Sequence, residues 1–401
     1  MIISYSIENF KSIKYRETIS FKAKSYKETK IKSIDNNLLS VISIYGPNGG
    51  GKSSIIESMF NLVNIIKINL NKNLLNIFLN ELNKFKNSTQ KDKPIKWEIE
   101  IISPSKRYYR YFLEVDQNEI SKESLCYAES QNGKEEFLFK RTSPQEYELG
   151  KKFNGIKLRA TDFGSLLSYL YTNIENEFII EFFNEINNKF FIINNLNNDP
   201  MVLTAKEPFN LSLNYNFNID VLIKEKEKFL KIFKEIDINI VDYKLVEQIN
   251  GKRFVLIKNN EDGEFELDFS QESEGTKKII QLMSWFVIGI HNGWVFVVDE
   301  LDSRLHTKLL GYIIDLFHNK NNHKSQIIFT SHDMNTLSST YLRKDEIYFV
   351  GLNESYFTNV VSLSAFDNVR EKSSYSSKYL KGSFGFDPYV LRAIEWLDNE
   401  K

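Results

Sequence analysis

Apolar residues along this chain switch repeatedly between a spacing of two and a spacing of three to four. Ile2 to Ile7 and Glu17 to Lys22 flank a turn at Asn9-Phe10-Lys11-Ser12 and predict a hairpin. Val41-Ile42-Ser43-Ile44-Tyr45 is a short β-branched run and predicts a buried strand. Ile55, Met59, Leu62, Ile66 and Leu70, then Leu74, Phe78, Leu82 and Phe85, predict a long helical stretch, and Lys86 to Pro94 reads as a loop. Strand patterns return at Trp97 to Ile102, Arg107 to Val115 and Glu136 to Lys140. From 160 to 236 the pattern is helical and aromatic. Phe163, Leu166, Leu167, Leu170 and Tyr171 make one stripe, and Phe178, Phe182 and Phe183 extend it as core. A second amphipathic helix runs from Asp220 to Glu235. Strands at Ile240 to Val246 and Arg253 to Lys258 lead into alternating helix and strand, the order of a parallel sheet with crossover helices.

The buried strand at 41–45 runs straight into Gly46-Pro47-Asn48-Gly49-Gly50-Gly51-Lys52-Ser53, and a helix start follows at Ser54. This is G-x-x-x-x-G-K-[ST] in the strand–loop–helix context that phosphate binding needs. Glycines let backbone N–H groups turn inward around a phosphate, and the helix N-terminus adds a favourable dipole. A nucleotide is therefore the expected ligand, its phosphates held by Gly46, Asn48, Gly49, Gly50, Gly51, Lys52, Ser53 and Ser54. Lys52 is expected on the β and γ phosphates and Ser53 on Mg²⁺.

Such a loop works with an acid at the end of a second buried strand. Trp294-Val295-Phe296-Val297-Val298-Asp299-Glu300 supplies one: Asp299 for Mg²⁺, and Glu300 to polarise the water that attacks the γ-phosphate. A third apolar strand ends at His332, where a side chain points into the ligand crevice of an open α/β sheet and could sense the γ-phosphate. Ser273-Glu274-Gly275-Thr276 opens an apolar helix. It fits either an anion site at a helix N-terminus or an ordinary cap with Ser273 as N-cap.

Composition narrows the class. The chain has 401 residues, 42% hydrophobic and 26% charged, as a globular protein with a sizeable core would. A net charge of −1 gives no global basic field, so nucleic-acid contact would need a local patch. The best one is Lys22, Lys24, Lys27, Lys30 and Lys32 around Tyr26. The single cysteine, Cys126, excludes an internal disulfide and a Cys-rich metal site, and fits the reducing cytosol. Ile279 to Ile290, the longest strongly apolar stretch, is too short to span a bilayer, and Met1 to Ile7 has no basic leader region. A cytoplasmic protein with no membrane contact is expected.

In this order the four elements resemble the head of ABC-class ATPases, the group containing the SMC, RecF and OLD proteins. The resemblance implies an α/β fold: an ABC-type P-loop NTPase head with a mixed sheet, helices and a helical insertion. It divides the chain into an N-terminal lobe (1–159), the insertion (160–236), a C-terminal lobe (237–370) and a helical extension (371–401). Ser273 and Gly275 fall on the family's signature motif, which binds the γ-phosphate of the other protomer, so ATP would join two copies head-to-tail in a homodimer. Leu301-Asp302-Ser303 resembles the D-loop, His332 the switch histidine, and the turn at Lys11 and Ser12 the N-terminal turn beside the nucleotide. Glu274 and Thr276 depart from the commonest signature, and no glutamine fits the Q-loop, Gln117 and Gln131 lying in turn-like segments.

A narrower resemblance covers Asp299 to His306, Ile236 to Ile240, Arg343 to Phe349 and Tyr379 to Gly385, and is to OLD/RecF-like ATPases of the RloA and abortive-infection group, with relatives in the Septu and PARIS systems. It implies anti-phage defence with a separate effector, a nuclease or another toxic protein, and a nuclease would have to come in trans because the stretch after His332 is too short for the Toprim domain of an OLD-type nuclease. That stretch is expected to end in a helix from Tyr389 to Leu397. The alternative reading is a RecF-like ATPase of DNA repair and recombination.

Overall fold

The computed structural model describes residues 1–26, 31–67, 75, 78–79, 81–82, 93–116, 118–156, 158, 164–194, 201–203, 219–248, 251–366, 369 and 374–386. Phe163, Gln117, Lys27, Lys30 and the expected helix at 389–397 lie outside them. The N-terminal hairpin is β1 (Ile2–Glu8) and β2 (Glu17–Ser20). After β3 (Val41–Tyr45) and α1 (Lys52–Lys67) come β4 (Ile95–Ile102), β5 (Tyr108–Asp116), β6 (Glu119–Ala128), β7 (Glu136–Arg141) and β8 (Tyr147–Leu149). The hairpin and β4–β8 form one antiparallel sheet of order β2-β1-β4-β5-β6-β7-β8.

The next stretch carries α2 (Leu166–Asn173), α3 (Glu177–Lys189), β9 (Phe190–Asn194), β10 (Met201–Leu203), α4 (Ile219–Lys224) and α5 (Lys226–Ile236). A small antiparallel sheet follows, β11 (Ile240–Gln248), β12 (Gly251–Asn260) and β13 (Gly263–Asp268). Then come α6 (Glu274–Asn292), β14 (Val295–Val298), α7 (Thr307–Phe317), β15 (Gln326–Thr330), β16 (Ile347–Leu352), β17 (Thr358–Ser362) and α8 (Tyr375–Leu380). The central sheet has the order β10-β9-β14-β15-β3-β16-β17, with β9 to β16 parallel and an antiparallel strand at each edge. The expected mixed α/β architecture is thus the one the chain adopts.

The apolar runs are continuous because both faces of the central sheet are covered. Ile42, Ile44, Val295, Val297 and Ile328 turn toward α1, α3 and the antiparallel sheet, in one core. Val41, Tyr45, Phe296, Val298, Ile327 and Phe329 turn toward α6 and α7, in a second. The aromatic stripe is core: Phe178, Phe182 and Phe183 are buried, and Phe183 stacks on Tyr171 at 3.9 Å between ring centroids.

Three elements differ from expectation. The stretch 160–236 is not helical throughout, because it contributes β9, which pairs in parallel with β14. Phe190-Phe191-Ile192-Ile193 continues the apolar spacing of α3 without a turn residue, so its change of period is hidden. The helix expected over 220–235 is broken at Glu225, whose backbone leaves the helical region (φ −111, ψ 29). β6 was not expected because Glu123 interrupts its alternation. That carboxylate is fully buried and accepts from Leu166 N (2.6 Å), Leu167 N (3.0 Å), Ser165 Oγ (2.9 Å) and Tyr111 Oη (2.9 Å). It satisfies the orphan N–H groups at the start of α2.

Candidate nucleotide site

Parallel pairing brings three strand ends together. Ile44 of β3 lies opposite Thr330 of β15, and Phe329 of β15 opposite Val298 of β14. The glycine loop, Asp299-Glu300 and Ser331-His332 therefore leave the sheet at one carboxyl edge, where open α/β sheets bind ligands.

The loop is shaped by what lies behind it. A Cβ on Gly46 would sit 1.9 Å from the Val350 carbonyl oxygen of β16, so only glycine fits there. Gly51 has φ +104, and a Cβ there would meet the Thr358 hydroxyl at 2.2 Å. The hydroxyl of Thr358, the first residue of β17, lies within hydrogen-bond distance of Ser12 Oγ (2.7 Å) and the Gly50 carbonyl (3.2 Å), and the Thr358 N–H donates to the Ser12 carbonyl (2.7 Å). Ser12 thus abuts the loop. Lys11 is drawn into an ion pair with Glu57 on α1. Asn48 and Gly49 are exposed at the tip, and Ser53 is exposed on the first turn of α1.

Lys52 is buried, and its ammonium donates to the carbonyls of Gly46 (2.9 Å) and Pro47 (3.0 Å). Burial lowers its pKa to about 8, against the opposing pull of Asp299, Glu300 and Asp302. Asp299 is 6% exposed, and its Oδ1 accepts from Thr330 Oγ1 at 2.5 Å. The same hydroxyl accepts from the Glu300 N–H at 2.7 Å. Glu300 adopts φ +50, uncommon for a residue with a side chain, and its carboxylate is exposed at the edge. The His332 N–H donates to Asp302 Oδ2 (2.9 Å), and Asp302 Oδ1 is buried without a hydrogen-bond partner. Burial and the nearby Lys52 hold the His332 imidazole pKa below its ordinary value, so the ring is neutral at pH 7.

Ser273 is the N-cap of α6: its Oγ accepts from Thr276 N at 3.1 Å. The cap and anion-site readings are compatible, because Ser273 is also exposed. Gly275 packs on the loop after Glu300, and a Cβ there would meet the Arg304 carbonyl at 2.6 Å. Lys52, Asp299, Glu300 and His332 thus share one edge, and Ser273 and Gly275 lie on the helix that grips its loop. Gln131 lies in the exposed β6–β7 turn and is not among these groups.

Thr330, Thr358 and Lys278 were not singled out from sequence, and Asp302 was read only as part of the D-loop resemblance. Thr330 ends the buried run of β15 two residues before His332 and could have been flagged as a polar side chain there. Nothing local marks Thr358.

Among the described residues no cluster of three His, Cys, Asp or Glu could hold a metal. Ser53 and Asp299 offer two hard oxygen donors, which suits Mg²⁺, an ion bound through one or two protein oxygens together with phosphates and water. The unpartnered Asp302 oxygen marks polar capacity left over in the crevice.

A glycine loop on β3, an acid pair on β14 and a polar strand end between them define a P-loop ATPase domain. The chain belongs to the family described as "AAA domain, putative AbiEii toxin, Type IV TA system", whose model matches residues 41–338. No curated protein matches it. Among solved structures it is similar to an SMC head domain from Thermotoga maritima (14% identity, TM-score 0.39, covering 90% of this chain and 98% of that one). It is also similar to an Smc head bound to the C-terminal winged-helix domain of ScpA (15% identity, TM-score 0.46, 90% and 97%). No helix among the described residues is long and apolar enough to cross a membrane.

Proposed function

We propose that this protein binds and hydrolyses ATP and serves as the nucleotide-driven switch of an anti-phage defence complex. The observation that carries the reading is the convergence of Lys52, Asp299, Glu300 and His332 at one sheet edge. Lys52 leaves its loop carbonyls for the β and γ phosphates, an exchange that restores the charge burial had weakened. Ser53 and Asp299 would hold Mg²⁺, which would neutralise charge on the phosphates. Thr330 orients Asp299 and anchors the Glu300 peptide. Glu300 takes up the proton of the attacking water, and His332 contacts the γ-phosphate as a neutral donor. Phosphoryl transfer asks for positioning and electrostatics more than covalent chemistry, and this edge supplies both.

Ser273 and Gly275 complete the site of a second copy, giving a head-to-tail homodimer around two nucleotides. The family description, with its toxin and toxin–antitoxin terms, supports the defence setting, and the effector is a separate protein, a nuclease. Two variants test the core of this reading. Lys52→Ala is expected to abolish ATP binding in equilibrium titrations. Glu300→Gln is expected to bind ATP and accumulate as a nucleotide-bound dimer with turnover reduced about a hundredfold or more. Wild-type turnover in Glu300→Gln would show that the base lies elsewhere.

A further inference from the structure

Glu300 carries its carboxylate on a backbone that needs outside support. Its φ of +50 is sparsely populated for a residue with a Cβ and persists only where the surroundings over-determine it. Arg304, four residues on, repeats the feature at φ +61. Two clamps hold the turn. On the amide side, the Glu300 N–H donates to Thr330 Oγ1 (2.7 Å) and the Leu301 N–H to the Thr330 carbonyl (3.1 Å), both from β15. On the carbonyl side the Ser303 N–H closes the turn on the Glu300 carbonyl (3.0 Å), and α6 clamps it from outside. The Lys278 ammonium donates to the Glu300 carbonyl (3.0 Å), the Ser303 carbonyl (2.9 Å) and Ser303 Oγ (3.1 Å).

Lys278 is not an ordinary surface lysine. All three of its N–H donors are used on one turn, and two acceptors are backbone carbonyls that have no other side-chain donor among the described residues. Burial lowers its pKa to about 8, with Asp302 and Glu300 raising it and Arg304 lowering it, so the ammonium has given up water for this turn. Two further contacts tie the same helix to the same loop: Glu274 pairs with Arg304 at 2.8 Å, and Gly275 lets the Arg304 carbonyl approach. The first two turns of α6 and residues 300–304 therefore form one unit.

We propose that Lys278 is a positioning residue for hydrolysis: its ammonium fixes the left-handed turn that aims the Glu300 carboxylate, so the seat of α6 sets whether the site turns over. This rests on the reading of Glu300 as the base. A phosphate engaged by Ser273 and Gly275 would load the same helix, and Lys278 would pass that load to Glu300 of its own chain. Nucleotide binding by the phosphate loop of the same chain does not pass through Lys278, because that loop is held from β16 and β17.

The test compares full-length Lys278→Met, Lys278→Arg and Glu300→Gln with the wild type, measuring steady-state ATP turnover, binding of a fluorescent ATP analogue, and melting. For Lys278→Met, kcat is expected to fall about tenfold or more while KM and the analogue Kd stay within about twofold. Lys278→Arg, which keeps charge and donors, is expected to recover a large part of the lost kcat. If Lys278→Met fails to fold, Ser303→Ala decides, since it removes one of the three acceptors. A few-fold lower kcat at unchanged KM supports the proposal, and wild-type kcat overturns it. Wild-type kcat in Lys278→Met beside an inactive Glu300→Gln overturns it and leaves the base intact. A loss in Lys278→Met that tracks weaker analogue binding or melting, with no recovery in Lys278→Arg, also overturns it. Wild-type turnover in Glu300→Gln brings down the underlying reading instead.

Discussion

Glu17 joins the two large sheets through one hydrogen bond and carries a titration with it. Its carboxylate on β2 accepts from the Val360 N–H of β17 at 3.1 Å. Burial pushes its pKa up to about 7, with the Val360 N–H pulling the other way. A raised carboxyl means that the folded state holds a proton the unfolded chain has released. Its contribution to stability is therefore full below about pH 4.5, is lost as pH rises to about 7, and stays lost above. Glu17 is partly exposed, so the effect is about 1–2 kcal/mol after solvent screening. Glu17→Gln keeps an oxygen for Val360 and does not titrate. Melting curves between pH 5 and 8 are expected to show wild type losing stability relative to Glu17→Gln as pH rises. Parallel slopes for the two proteins would refute the assignment. At this scale the legible residues were those of short motifs with fixed spacing: Lys52, Ser53, Asp299, Glu300 and His332. Glu17 and Thr358 were not, because their partners lie hundreds of positions away and only the folded sheets bring them together.

At the scale of elements, legibility followed periodicity. β3, β14 and β15 were readable because strands covered on both faces are unbroken apolar runs. β6 was not, since Glu123 places a carboxylate where the pattern calls for an apolar side chain. Its reason to be there is the N-terminus of α2, where the Ser165 hydroxyl and the Leu166 and Leu167 N–H groups converge on it across 42 to 44 positions of sequence. β9 was missed for the opposite reason, an apolar stretch that follows a helix with no punctuation. Glu123→Gln tests the first point. Its amide would set a donor against a backbone N–H that now meets an oxygen, leaving a buried donor unsatisfied. The expected cost is about 2–3 kcal/mol, read as a lower denaturant midpoint, with ATP turnover by the remaining folded protein unchanged. A loss under about 0.5 kcal/mol would mean that α2 is capped by other means.

At the scale of the whole molecule, the arrangement divides the proposed chemistry between two edges. Lys52, Asp299, Glu300 and His332 belong to the carboxyl edge of the central sheet, and Ser273 and Gly275 to the start of α6. If each nucleotide is closed by the phosphate loop of one copy and the α6 start of the other, defects in the two edges complement in trans. Lys52→Ala removes the loop's charge but leaves a good α6 start. Ser273→Arg keeps a good loop, blocks the helix start with a bulky cation, and loses an N-cap worth about 1 kcal/mol. Each variant alone is expected to be inactive as an ATPase. A mixed dimer has one doubly damaged site and one intact site. Random pairing of equal amounts makes half the dimers mixed, so the mixture is expected to recover about a quarter of wild-type turnover. A site complete within one chain predicts a different outcome: Ser273→Arg alone stays active, or the mixture shows only the sum of its parts. Turnover at fixed total protein and varied ratio separates the cases, since complementation peaks at equal amounts and vanishes at either end.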